Sequence, residues 1–585
     1  MSVSKALKVL FFNVRKRENS YKIYKKMKKS LSTENKNWIF EKSLILKWKI
    51  PIIKSKVDRL FLIDLSEKIK QLSYIHRISE RWDEMGVILA QYTIRSKQEY
   101  IFRTNRVVEI AGASENISRS WEILFQQAKR SGKKVRRVSD AIGFQMKEIE
   151  DSFKKNELHM VELFCGGGND TVLYDSLETY KEVNRAFSRY LLEQCPGMIP
   201  MAVQCEYTGN YQNDYRNLML QADKEKNRMT PGQSCFILPF SMMDRTVFQP
   251  YSDITYIDEN AVRVTDEGKS KREKGLKIRE KDSTIKKLDK LVTKKGEESL
   301  LAVVHADGNN MGVKIGKMLQ GETAYDICVT KMRKFTTDTA DAFVKDGLEA
   351  MKCCQKELQE KYRGKYKEES FLYRKIIADG DDMTFICNAR FVIEYVKAYL
   401  DAVQKHKEKK QSEWDYSSCA GICIFHSHYP FAKAYSLAEQ ACDSAKKKVH
   451  GEEVREESWM DFHYIHNGVG GKLEQIRKRQ GVAEYMARPW RMDTTATEQK
   501  DNFQQLLHLD SVLKNEGVSR SDIKTIGAEV EEGFSFGEKE MIRVFGHHKK
   551  LKESLGYQGK TEDMNQLLRM IYDLAEVYDL WFARA

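Results

Sequence analysis

A chain of 585 residues with 41% hydrophobic and 31% charged side chains can fill several globular cores, and no stretch approaches the ~18 uninterrupted apolar residues of a membrane span, so no membrane partner is expected. Its 11 cysteines contain no C-x-x-C pair, which argues against a zinc ribbon and a disulfide framework and fits a reducing cytoplasm. The net charge is +14, but residues 1–57 carry 13 of it (16 Lys/Arg against 3 Asp/Glu), so the remainder is not a globally basic surface.

The basic arm leads a segment taken as residues 1–85, with helical spacing over 58–84. Two readings stand for 1–57: a polyanion contact, RNA or another nucleic acid being the usual partner, or a solvated extension. The opening MSVSKALKVLFFNVRK lacks the small-residue cleavage site of a secretory signal, and a cytoplasmic location is expected. A strand follows at 86–93. The strands 159–165 and 171–174 are joined by glycines ending in Asn169-Asp170, a hairpin signal. A helix at 176–195 and a strand at 198–206 complete the order of a ferredoxin-like domain, bounded at 86–267. Residues 268–296, dense in Lys, Glu and Arg, read as a surface linker or charged helix.

The pattern then repeats over 297–493. A strand at 300–305 runs out into Asp307-Gly308. Next come a long helix at 324–362, a hairpin (373–377 and 383–387), a helix at 391–408, a strand at 418–425 and a helix at 431–449. The expected fold class is α+β, two ferredoxin-like palm domains followed by a C-terminal helical domain at 494–585.

The chemistry sits in the second copy. VVHADGNNMG leaves Asp307 just past a strand end, and IIADGDDMTF puts Asp381 and Asp382 at a hairpin tip. In a ferredoxin-like sheet the first strand neighbours that hairpin, so the three carboxylates converge. Such a cluster repels itself unless a cation joins it. Mg²⁺ or Mn²⁺ held by one or two carboxylates plus substrate phosphates is the expected occupant. The competing reading is that these are only turn residues. His426 and His428 in HSHYPF invite a metal reading, but no acid or cysteine accompanies them; they read as structural, as do His463 and His466.

HADGNNMG, ADGDDMTF, CAGICIFHSHYPFAKAYSLAEQACDSAK, DFHYIHNGV and ARPWRMD resemble the second palm domain of the Cas10/Cmr2 family. EYIFRTNRVVEIAGAS and VELFCGGGND resemble, more weakly, its first palm. The resemblance implies a metal-dependent nucleotidyltransferase. Family members with a G-G-D-D turn condense ATP through 3′–5′ bonds into cyclic oligoadenylate messengers, in CRISPR-type or related antiphage defence. The turn here is Asp379-Gly380-Asp381-Asp382, with Asp379 in place of the first glycine. Carried over, Asp307, Asp381 and Asp382 are the catalytic and metal-binding residues. Gly308, Asn309, Asn310, Gly380 and Lys446 meet the nucleotide, Lys446 on the triphosphate or simply complementing its helix dipole. The first palm's turn, Gly167-Gly168-Asn169-Asp170, keeps one acid; by resemblance it seats a second nucleotide without catalysis, with Asn105, Arg106, Gly112, Ala113 and Ser114 beside it, the competing reading being a degenerate structural palm. Nucleoside triphosphates and RAMP-type CRISPR subunits are the implied partners. No HD nuclease is expected, for want of a His-Asp pair, and no zinc between the palms, where Cys235 stands alone. A non-catalytic scaffold subunit of an RNA-guided complex and a standalone sensor are the competing functions.

Overall fold

The computed structural model describes residues 86–104, 106–138, 144–229, 241–244, 249–257, 260–281, 291–292, 299–449, 455–466, 471–493 and 499–583. The expectations for the basic arm, the 58–84 helix, Asn105 and Cys235 lie outside these residues.

In chain order the elements that position the site are β1 (Ile88–Arg95), α1 (Lys97–Phe102), α2 (Val107–Ser118), β2 (Val135–Arg136), β3 (Met160–Gly166), β4 (Asn169–Tyr174), α3 (Leu177–Gln194) and β5 (Ile199–Glu206). A small hairpin of β6 (Asp253–Ile257) and β7 (Asn260–Val264) leads into α4 (Asp266–Lys281). The second half has β8 (Leu300–Gly308), α5 (Met311–Met318), α6 (Tyr325–Ala340), α7 (Gly347–Lys361), β9 (Tyr373–Asp379), β10 (Asp382–Asn388), α8 (Val392–Gln404), β11 (Ser418–His426), α9 (Phe431–Val449), β12 (Trp459–Tyr464) and β13 (Trp490–Arg491). The longer C-terminal helices that follow are α10 (Phe503–Asn515), α11 (Arg520–Glu532), α12 (Phe534–His547) and α13 (Thr561–Val577). The single long helix read at 324–362 is α6 and α7 joined through a π-helical stretch, Asp341–Asp346.

The first sheet runs β2-β3-β4-β1-β5 and the second β13-β12-β11-β8-β10-β9. Removing β2, β12 and β13 leaves the same four-strand order in both, with the first strand central between the third and fourth; the pairings within each set are antiparallel. This is the ferredoxin-like arrangement, present twice.

Strand β8 is apolar on both faces because both are covered. Ala302, Val304 and Ala306 belong to the core shared with α8 and the C-terminal helices, whereas Leu301 and Val303 belong to the core shared with α9 and the first palm. Strand alternation therefore sends odd-numbered β8 residues toward α9. Gly421 on β11 lets α9 lie flat on that face: a Cβ there would fall 1.9 Å from Ala438 O and 2.2 Å from Cys442 N.

The stretch read as a linker or charged helix begins inside α4, and α4 is no solvated surface element. It packs on α2 so closely that a Cβ on Gly112 would meet Lys271 O at 1.7 Å and one on Gly275 would meet Val108 O at 1.9 Å. Lys271, only 1% exposed, is held by Glu267 at 2.5 Å and by the face of Tyr100. Charge content alone does not reveal a buried, paired lysine.

Two motifs of the second palm are structural. Arg488, in ARPWRMD, is buried among Asp461, Asp573 and Glu576, and Trp490 Nε1 donates to Asp573 at 2.9 Å. Asp461 also takes both ends of the Arg477 guanidinium at 2.8 Å. These buried, hydrogen-bonded pairs fasten β12 and β13 to α13.

Candidate active site

His305 and Asp307, two residues apart on β8, share its α9-facing side. Thr384 lies opposite His305 and Met383 opposite Ala306, so Asp382, the next residue of β10, comes beside Asp307 on the same face. One ligating atom each from His305, Asp307 and Asp382 lie within 4.8 Å of one another. Asp381 occupies the two-residue turn between Asp379 and Asp382. It lies against Gly308, where a Cβ would meet Asp381 Cβ at 2.8 Å and Phe343 Cζ at 2.9 Å. Glycine is required there for the strand end to approach the turn.

The electrostatics follow from this convergence. Burial and the neighbouring Asp307 push the Asp381 carboxyl up to about 6. Burial, Asp307 and Asp381 together push Asp382 up to about 8. Lys446, from α9, donates to Asp307 and approaches Gly308 O at 3.4 Å. Burial works against its ammonium, but Asp307 outweighs burial and raises its pKa. The donor set, three carboxylates and an imidazole with one lysine on Asp307, fits a divalent cation: it offers hard oxygens and negative charge that the protein neutralises only in part.

Other residues expected at the nucleotide are occupied elsewhere. The Asn309 amide is 1% exposed and donates to Ser417 Oγ at 3.0 Å and Glu457 O at 2.9 Å, which makes it a brace. Asn310 takes φ 59° ahead of α5 and donates to Arg455 O at 3.0 Å. The first-palm motif is likewise a stitch: Ser114 donates to Ile376 O at 2.5 Å, Arg106 pairs with Glu109 at 3.1 Å, Ala113 is fully buried and Gly112 receives α4.

The first palm's turn meets the second's directly. A Cβ on Gly380 would lie 3.3 Å from Gly167 N, and one on Gly168 would lie 1.4 Å from Lys97 Nζ and 3.5 Å from Asp379 Oδ2. Lys97, from α1, donates to Gly167 O at 3.5 Å. Burial lowers its pKa, against the pull of Asp379, Asp382, Cys165 and Asp381. Phe102, also on α1, stacks on Tyr435 of α9 with centroids 3.6 Å apart.

Register shows that Asp170, the one acid the string keeps, stands outside the turn. Asn169 pairs with Gly166, as Asp382 pairs with Asp379, so the turns align as Gly167-Gly168 with Gly380-Asp381. Asn169 then matches Asp382, Thr93 matches Asp307, and Asp170 matches the core residue Met383. Asp170 is fully buried on the opposite face of its strand, near Glu162 and Cys165, with Arg137 on Glu162 at 3.3 Å. A one-residue slip turns every side chain over, and the string G-G-N-D does not reveal where the turn lies.

Four participants escaped the sequence reading: His305, Lys97, Lys314 and Tyr435. His305 was within reach, being two before Asp307 on a strand. Lys314, which donates to Asn309 O at 2.9 Å and Glu456 at 2.8 Å, and Tyr435 lie on helices, where spacing alone did not single them out. Lys97 reaches the site from the other palm, which no local pattern encodes. Among the described residues, the clusters able to hold a metal are His305–Asp307–Asp382 and Glu162–Cys165–Asp170; His426, His428, His463 and His466 belong to neither.

A doubled ferredoxin-like fold with three carboxylates at the first-strand end and facing hairpin tip defines a palm-type architecture. Residues 300–454 match the family model "Cas10/Cmr2, second palm domain". Among curated proteins none matches. Solved structures similar to the chain include a Csm1–Csm4 cassette in complex with cA4, at 10% identity and TM-score 0.39, covering 74% of this chain and 63% of that one. A Csm1–Csm4 cassette in complex with cA3 aligns at 10% identity and TM-score 0.40 over 85% and 70% of the two chains. Csm1 of T. onnurineus aligns at 10% identity and TM-score 0.39 over 83% and 70%. The chain thus spans under two thirds of the first of these. Among the described residues no helix is long and apolar enough to cross a membrane.

Proposed function

We propose that the second palm binds a nucleoside triphosphate with divalent metal ions and condenses ATP, or another nucleoside triphosphate, into cyclic or linear oligonucleotides that serve as defence signals. The observation that carries this reading is the convergence of Asp307, Asp381 and Asp382, with both turn carboxyls driven to bind a proton or a cation. Asp307, Asp382 and Asp381 would hold the metal, Mg²⁺ or Mn²⁺. Bound there, such ions neutralise the triphosphate and stabilise the entering and leaving oxygens of an in-line displacement.

The chain's own residues supply the rest. Lys446 sets the Asp307 carboxylate and places a second positive charge at the mouth. Gly308, without a side chain, lets the strand end approach Asp381, and Gly380 lets the two turns meet at Gly167. Tyr435, buried and stacked on Phe102, stands on the α9 side beside His305. The first palm's turn at Gly167, Gly168 and Asn169, facing Gly380, borders the space for a second nucleotide whose 3′-hydroxyl attacks. A RAMP-type subunit as partner is part of this reading.

Purified protein incubated with ATP, and separately with four nucleoside triphosphates, plus Mg²⁺ or Mn²⁺ tests it by mass spectrometry. Phosphodiester-linked products that vanish in Asp381→Asn/Asp382→Asn are expected. Failure of any nucleotide to bind in a metal-dependent way would overturn the catalytic reading and leave a scaffold subunit.

A further inference from the structure

We propose that His305 is a nitrogen ligand of the second palm's metal, and that the site therefore takes a divalent transition ion, Mn²⁺ or Co²⁺, in preference to Mg²⁺. The proposal rests on the palm reading above and narrows it.

Alternation and register place His305, Asp307, Thr384 and Asp382 as two adjacent cross-strand pairs on one face. A ligating nitrogen of His305 lies within 4.8 Å of carboxylate oxygens of both Asp307 and Asp382. Ligands about 2.1 Å from one octahedral ion stand roughly 3 to 4.2 Å apart, which that spread admits after small side-chain adjustments. The imidazole is already oriented. Its Nδ1 lies 3.2 Å from Thr384 Oγ1, and the Tyr435 ring stands edge-on at 5.7 Å. A metal-binding histidine is ordinarily held by a hydrogen bond from its other ring nitrogen, and Thr384 accepting from Nδ1–H leaves Nε2 for the ion.

His305 is only 4% exposed, so solvent has little access to that nitrogen. On the far side its neighbour is Gly421, which offers no side-chain partner. In the first palm the matching position is Gln91 and the matching acids are absent, so the imidazole and the carboxylates occur together. Mg²⁺ is served by oxygen ligands and parts with water reluctantly; imidazole suits the later first-row ions, whose affinity for a given site rises from Mn²⁺ to Co²⁺ and beyond.

Pulsed electron paramagnetic resonance of Mn²⁺ bound to the full chain reads this directly. A directly coordinated imidazole imposes ¹⁴N modulation on the Mn²⁺ echo, and growth on ¹⁵N-histidine converts it to ¹⁵N without any mutation. Both are expected. His305→Gln should abolish the modulation and reduce the preference for Mn²⁺ over Mg²⁺, measured by competition, about tenfold or more. Mn²⁺ that binds in the wild type and is lost in Asp307→Asn, but shows no nitrogen modulation, would overturn the histidine ligand while leaving the palm metal site standing. Mn²⁺ binding indifferent to Asp307→Asn and Asp382→Asn would overturn both.

Discussion

The two palms share one strand order and differ in what register exposes at the turn. In the second, one face of β8 and β10 presents His305, Asp307 and Asp382, with Asp381 in the turn beside them. In the first, the same positions hold Gln91, Thr93, Asn169 and Gly168, and the one acid of the string, Asp170, is turned into the sheet's other face. The fold is thus indifferent to the chemistry, and the difference between a charged mouth and a neutral one comes from three side chains on one face and one in the adjoining turn.

The sharpest way to break that comparison is to neutralise one acid in each palm. Asp382→Asn removes a metal-binding oxygen from the proposed site, and product formation should fall roughly 1,000-fold, the several kcal/mol a metal contributes to charge stabilisation. Asp170→Asn should leave turnover within a few-fold of wild type. Parallel initial rates by mass spectrometry check both. Equal losses would show that the register-based assignment of Asp170 to the far face is wrong.

Next in size is the packing that delivers Lys446. Gly421→Ala places a methyl 1.9 Å from Ala438 O, so α9 must lift from β11. A destabilisation of about 2–3 kcal/mol is expected by denaturant melting, as for overpacked cores. Gly312→Ala, where a Cβ would meet nothing within 4 Å, is the control and should be near neutral.

Much of this was readable in the chain. The repeated order of apolar strands, helices and glycine-bearing hairpins pointed to both ferredoxin-like units, and Asp307, Asp381 and Asp382 were placed together from topology alone. What escaped was of two kinds. The braces Asn309 and Asn310 sit in the motif HADGNNMG, where a polar residue next to a candidate metal-binding acid reads as a ligand contact; only the fold shows their amides spent on Ser417, Glu457 and Arg455. The other kind is non-local. Lys97 lies more than 200 positions before Asp379 in the numbering and meets the same turn only because the palms pack face to face. The π-helical stretch at Asp341–Asp346 was equally silent, since it joins two helices without interrupting the helical run.

A smaller effect separates the palms by pH. The Asp382 carboxyl is raised to about 8 in the fold, from an ordinary 3.8, so the folded chain holds that proton more tightly than the unfolded one. By linkage, its contribution to metal-free stability is greatest below about pH 4 and is lost as pH rises through about 8. In chelator, the melting temperature should therefore fall between pH 6 and 8. Asp382→Asn should flatten that fall and stabilise the metal-free protein at pH 8 by about 1–2 kcal/mol. Added Mn²⁺ should restore the wild type and not the variant. A pH profile unchanged by the substitution would contradict the electrostatic account of the turn.

The smallest expected effect tests how the two turns communicate. Asp379 stands where the resembled motif has glycine, and its carboxylate faces the first palm's Gly168 with Lys97 Nζ alongside. A fourth carboxylate at the mouth repels a triphosphate, and Lys97 is the nearest cation from the facing palm to offset it. Lys97→Met alone should weaken nucleotide binding about tenfold, since the offset is gone. Asp379→Gly alone should strengthen it modestly. The double variant should bind nearly as the wild type does, giving a coupling of about 1 kcal/mol in a double-mutant cycle read by calorimetric titration of a non-hydrolysable ATP analogue. Additive effects, with no coupling, would mean that Lys97 meets the nucleotide itself, and that the first palm contributes a ligand contact where the register shows only a neutral turn.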